Sequence, residues 1–192
     1  MARKYQMRQR AEAVEATRRR IVEAAICLHA TLGPAHTTVS AIAERAGVER
    51  QTYYRHFPDD RALMRACSGL YLQRNPLPDA NAWRAVTDPD QRLRHGLTEL
   101  YRYYQANEPM LANVLRDAEV HPLTREMAST ALLAIAALRE VLVEGLGGGD
   151  RVRAAVELAL GFHTWRSLVR HSRLSQDAAL ELMAALVNAA RR

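Results

Sequence analysis

Within the seven residues Arg50–His56 the sequence places Arg50, Gln51, Thr52, Tyr54, Arg55 and His56, shortly after a glycine turn at Gly47. Guanidinium, carboxamide, hydroxyl and imidazole groups at this density offer recognition by directed hydrogen bonds and charge. A protein core cannot satisfy so many polar groups, so their partner lies outside the chain. Other chemistry has weaker candidates. The seven histidines form no HExxH, no Cys-His pair and no serine elbow. His95 and Glu99 stand four apart, the spacing of a surface contact more often than of a metal pair. Asp117, Glu119 and His121 cluster in a loop without a ligand pattern, and "GGGD" at 147–150 lacks the lysine of a phosphate-binding loop. We therefore expect no enzyme activity, no cofactor and no metal.

The elements that position the polar group are readable around it. Thr38 is a good N-cap, and Ile42, Ala43 and Ala46 form the inner face of the helix that follows. The small Ala43 lets a second helix cross closely. Gly47 supplies the left-handed turn, Val48 plugs the angle, and Phe57-Pro58 ends the polar helix. Two helices joined steeply by a short glycine turn make a helix-turn-helix, a geometry that can hold its second helix in a DNA major groove.

The rest of the chain is all-α by composition. Phe, Trp and Tyr make up 6% of the 192 residues, Ala, Leu and Arg dominate, and no alternating run reads as a strand. About nine helices are predicted: from about Gln9 to Leu32, 39–46, Arg50–His56, Asp59 to Asn75, Asp88 to Ala106, Pro109 to Arg116, Pro122 to Leu146, Asp150 to His171, and from the Ser175 cap almost to the end. The loop at 75–90 holds a short turn around Trp83. The domains divide as 1–58 and 59–192.

Charge is uneven. Residues 1–56 carry ten Lys/Arg against five Asp/Glu, while 57–192 carry seventeen against sixteen, so nearly all of the +6 net charge sits on the helix-turn-helix segment. That is the electrostatic footprint of nucleic-acid binding. Arg3, Lys4, Arg8 and Arg10 read equally as a disordered tail or as an arm touching a groove or phosphates. The N-terminus lacks the apolar stretch of a signal peptide and the run Ala131–Leu138 is too short to span a bilayer, so a cytoplasmic protein without membrane contact is expected. Cys27 and Cys67 both read as reduced core thiols, Cys67 on the clearer helical pattern.

"TRRRIVEAA" and "TTVSAIAERAGVERQTYYRHFPDDRAL", within Thr17–Leu63, resemble the N-terminal domain of the tetracycline-repressor (TetR) family of transcriptional regulators. The resemblance implies a three-helix DNA-binding domain followed by a larger helical domain that dimerises and holds a small-molecule pocket. Carried over by position, Arg50 and Gln51 contact base edges. Thr52, Tyr54 and His56 hold phosphates, Thr38 meets a phosphate, and Ser40 contacts a base or the backbone. The chemistry agrees: Arg suits guanine, Gln suits adenine, and hydroxyl and imidazole groups suit phosphate. Two departures stand out. Asp60 replaces a usual Lys that approaches the DNA backbone, and Tyr53 replaces an aliphatic residue, so it is either a core tyrosine or an extra DNA contact.

A homodimer is expected through the eighth and ninth helices. "AAVELALGFHTW", 154–165, carries one formal charge and needs partners on nearly all sides, and the last helix adds a stripe of Ala179, Leu182, Met183, Leu186 and Ala190. Candidate contacts for an unidentified small-molecule effector are Tyr101, Tyr104, Met110, Phe162, His163 and Trp165, with Gly161 marking a close approach. The expected function is a homodimeric regulator, a repressor released from a near-palindromic double-stranded operator by that effector. The alternative is a small-molecule-binding helical protein with altered or lost operator recognition.

Overall fold

The computed structural model describes residues 2–192, with side chains from Tyr5 onward. Its order is α1 (Ala2–Thr31), a 3-10 turn (Pro34–His36), α2 (Val39–Ala46), α3 (Arg50–His56), α4 (Asp60–Arg74), α5 (Ala80–Trp83), α6 (Pro89–Ala118), α7 (Pro122–Val143), α8 (Gly149–Leu160), α9 (Phe162–Arg166), a π-helical turn (Ser167–His171) and α10 (Gln176–Ala190). Among the described residues there is no strand, as the composition predicts. The chain forms two compact units, Met1–Arg74 with Pro109–Ala128 and Asn75–Glu108 with Ser129–Arg192.

The first unit is built on one apolar cluster. Ile21, Val22, Ala24 and Ala25 of α1 meet Ile42, Ala43 and Ala46 of α2, Tyr53 and Phe57 at α3, and Leu63 and Cys67 of α4. Cys67 is the buried thiol the helical pattern predicts, with its pKa pushed up to about 12 by burial. Cys27, expected in the core as well, is only partly buried. The first helix begins at Ala2 rather than near Gln9, and Arg8 pairs with Glu12 one turn on. Helix-favouring residues run back to the start, so the arm carrying Arg8 and Arg10 continues α1. The side chains of Arg3 and Lys4 lie outside the described residues.

Residues 109–118 of α6 hold the end of α1 through polar contacts. The Asn113 amide donates to the carbonyls of His29 (3.2 Å) and Ala30 (2.9 Å), and Arg116 donates to that of Leu32 (2.8 Å). A helix C-terminus leaves its last carbonyls short of intrahelical donors; the His29 carbonyl also accepts the Gly33 N–H at 3.1 Å. Asp117, 1% exposed, accepts the Ala35 N–H at 2.9 Å and the Arg116 Nε at 2.8 Å. Burial raises its carboxyl pKa, but these donors and the neighbouring charges outweigh burial and hold it below its ordinary value. Gly33 is required here: its φ is 99°, and a Cβ would fall 2.3 Å from Asp117 Oδ2.

His29 gives this node a pH dependence. Burial holds the imidazole down at about 4, against an opposing pull from Asp117. The folded pKa lies below the unfolded value, so the neutral form's contribution is complete above 6.5 and is lost as pH falls from 6.5 toward about 4. Between pH 7.5 and 5 the loss is about 2 kcal/mol. Urea unfolding at both pH values is expected to show that drop in the wild type and a much smaller one in His29→Leu. Equal drops would place the acid sensitivity elsewhere.

In the second unit Trp83, fully buried, donates its indole N–H to Glu99 at 2.5 Å, which fixes the short α5 predicted around it. The Asp88 side chain accepts the Gln91 N–H at 2.7 Å, the predicted cap of α6. Two expectations are corrected. The helices predicted as 88–106 and 109–116 are one, because α6 continues through Pro109. Pro109 removes one hydrogen bond from the carbonyl of Gln105, an exposed residue whose carbonyl can be solvated. The helix predicted as 150–171 breaks at Gly161, which is extended (φ −67°, ψ 125°). Its freed carbonyls find tyrosines: Tyr101 donates to Ala159 O at 3.0 Å and Tyr104 to Leu160 O at 2.5 Å. With these changes and the short α5, the described residues form ten α-helices where about nine were predicted.

Candidate nucleic-acid interface

α2 and α3 sit as the sequence predicts. The Thr38 hydroxyl accepts the Ala41 N–H at 3.2 Å, so the cap is made while its own O–H stays free to donate outward. Gly47 has φ 63° and ψ 44°, and the Val48 N–H returns to Ala43 O at 3.0 Å to close the turn. Tyr53 in α3 and Phe57 at its C-cap are each 1% exposed and form the anchoring side. Their spacing leaves Arg50, Gln51, Tyr54 and Arg55 exposed, with Thr52 and His56 half-buried at the edge and Ser40 exposed on α2. The Tyr54 ring is braced edge-on by Tyr53 at 5.3 Å. Among the described residues no hydrogen bond or ion pair engages the side chains of Arg50, Gln51 or Arg55. The arrangement is a rigid helix whose outer face carries donors and cations without internal partners.

Tyr53 belongs to the core, which answers one of the two departures. Its hydroxyl is buried without a hydrogen-bond partner, and its pKa is pushed up to about 12 by burial and then by the charge of Asp60. A buried hydroxyl without a partner costs about 1–3 kcal/mol. Tyr53→Phe is therefore expected to raise stability by about 1 kcal/mol in urea unfolding and to leave DNA affinity unchanged. A destabilised variant would show that the hydroxyl has a partner after all. At the other departure, Asp60 is exposed in the first turn of α4, where a carboxylate favours the helix dipole. The adjacent Arg61 is paired with Glu126.

Residues 21–67 match the family of bacterial regulatory proteins, tetR family, and the match spans the same stretch as the core from Ile21 to Cys67. The segment 21–67 is similar to the DNA-binding domain of that family. The fold of the chain is that of solved regulators along nearly the whole length. A transcriptional regulator from Rhodococcus sp. Rha1 is 15% identical with a TM-score of 0.64, covering 90% of this chain and 94% of that one. A TetR-like transcriptional regulator from Rhodococcus sp. RHA1 is 20% identical with a TM-score of 0.61, covering 89% and 93%. The TetR family transcriptional regulator PfmR from Thermus thermophilus is 21% identical with a TM-score of 0.61, covering 90% and 94%. At these identities the likeness is one of fold. No curated protein matches the sequence.

The helical region outside the match places the other predicted residues as follows. Tyr101, Tyr104, Phe162 and Trp165 form one buried aromatic cluster, with Tyr104 at 5.4 Å from Phe162 and 5.8 Å from Trp165. His163 is exposed beside Phe162. Met110 is buried and belongs to the first unit. The predicted stripe on the last helix divides: Ala179 and Met183 face inward, and Leu182 and Leu186 are 47% and 38% exposed. On α8, which packs against α10, Leu158 is also half exposed. The sequence reading missed a cavity of about 470 Å³ in the second unit, lined by Pro76, Asp79, Glu99, Arg102, Tyr103 and Asn107 among others. Its walls come from the 75–82 segment and the outer side of α6, a pairing that no local pattern announces. Among the described residues no helix is long and apolar enough to cross a membrane, and no group of His, Cys, Asp and Glu has the arrangement of a metal site.

Proposed function

We propose that this protein is a TetR-family regulator: a cytoplasmic, homodimeric, sequence-specific DNA-binding repressor, non-enzymatic and released from its operator by a small molecule. The observation that carries the reading is the outer face of α3, whose polar side chains lack internal partners while Tyr53 and Phe57 lock the helix. Arg50 and Gln51 read base edges; Thr38, Ser40, Thr52, Tyr54 and His56 set register on phosphates and nearby groups. Residues 1–58 are the DNA-binding domain and 59–192 the regulatory one. Leu158, Leu182 and Leu186, apolar and exposed on paired helices, support a four-helix dimer interface. A two-fold dimer presents two copies of α3 to one side of the duplex, hence a near-palindromic site.

For the effector, two places compete. The aromatic cluster is filled, with both tyrosine hydroxyls committed to α8 carbonyls, so a ligand there must displace packed rings. The cavity beside Tyr103 and Arg102 is open already. A ligand that tilts α4, which follows the DNA-binding domain directly, would change the separation of the two α3 helices. Selection from fragments of the host genome tests the central reading. Enrichment of an inverted repeat supports it, whereas retention without enrichment favours a helical small-molecule binder that has lost operator recognition.

A further inference from the structure

The arginines of α1 are not equivalent. Arg8, Arg18 and Arg19 pair with Glu12, Glu15 and Glu23, and Arg18 also lies over the Phe57 ring at 5.1 Å. Arg20 is exposed, and among the described residues no carboxylate, carbonyl or ring engages it. Its Nη1 lies 3.9 Å from where a Cβ on Gly47 would stand. The guanidinium therefore sits against the helix-turn-helix turn, three residues before Arg50. The base of the side chain is fixed, because Ile21 is fully buried in the core that also holds α2 and α3. The turn is fixed too, by the hydrogen bonds of Gly47 and Val48.

We propose that Arg20 is a further DNA-positioning residue that holds a backbone phosphate beside the base pairs read by α3. The inference rests on the DNA-binding reading above. An unpaired cation beside the turn that leads into the reading helix adds affinity for any sequence and no base preference, since a phosphate carries no sequence information. Arg20 would thus anchor the start of α3 while Thr38 anchors the start of α2.

The test is the salt dependence of full-length protein binding to a mixed-sequence duplex, measured by fluorescence anisotropy. Each phosphate contact contributes about 0.9 to the slope of log affinity against log salt. Arg20→Gln is expected to reduce the slope by about 0.9 per bound copy, and to weaken mixed and enriched sequences by the same factor. Arg20→Lys is expected to restore most of the slope, because a point charge suffices for a phosphate. Arg192→Gln, which removes the same charge from the exposed C-terminal residue, is expected to keep the wild-type slope. A wild-type slope in Arg20→Gln overturns the inference, and so does an equal reduction in Arg192→Gln. A wild type that binds no duplex even at low salt overturns the DNA-binding reading itself, which separates that failure from the failure of this one. All four proteins are compared at matched thermal stability.

Discussion

Leu186→Arg is expected to turn a dimer into monomers. Leu186 is exposed on α10 beside Leu182, while the neighbouring Ala179, Met183 and Val187 pack inward. In the proposed interface an arginine at this position would lie in a dry seam without a counter-charge. An unpaired charge in such a place costs about 3–5 kcal/mol, which corresponds to a dimer dissociation constant weaker by about 10²–10⁴-fold. Light scattering or sedimentation at micromolar concentration reads the result directly. Val120→Arg is the control: Val120 is 75% exposed in the segment before α7 and outside the proposed face, so its variant should remain dimeric. DNA binding should fall with dimerisation, because a single α3 offers few contacts. A wild-type protein that is monomeric under these conditions contradicts the interface.

The second large effect concerns Arg50, the first residue of α3, exposed and without an internal partner. A bidentate arginine–guanine contact contributes about 1–3 kcal/mol of discrimination. Arg50→Ala should weaken binding to an enriched site by that amount per half-site and relax base preference there. The variant should lose little on mixed-sequence DNA, where the arginine reads no particular base. Tyr54→Phe removes the hydroxyl that the proposed reading sets on a phosphate, so it should weaken enriched and mixed sequences alike. The two variants together separate reading from positioning. If Arg50→Ala weakened both kinds of duplex equally, Arg50 would be a phosphate contact instead.

The N-terminal region was legible because its signals are local. Thr38 caps, Gly47 turns and Phe57-Pro58 stops within residues of where they act, and the spacing of Tyr53 and Phe57 decides which side of α3 stays outside. The C-terminal region depends on partners distant in sequence. Pro109 looks like a boundary, yet α6 passes through it because the lost hydrogen bond falls at an exposed residue. Gly161 looks like a close approach inside one long helix, yet it is a break whose carbonyls are met by tyrosines 56 and 58 positions away. The stripe on the last helix is apolar all along, and only its packing decides that Met183 points in and Leu186 out. Arg20 gave no sign among three consecutive arginines; its difference lies in the carboxylates its neighbours meet.

The most direct test of sequence-specific recognition is the ratio of affinities for an enriched genomic site and a scrambled duplex of equal length at physiological salt. Specific regulators typically show a ratio of about 10³–10⁷. A ratio in that range, reduced toward unity by Arg50→Ala, is the expected result. Equal affinity for the two duplexes would contradict it.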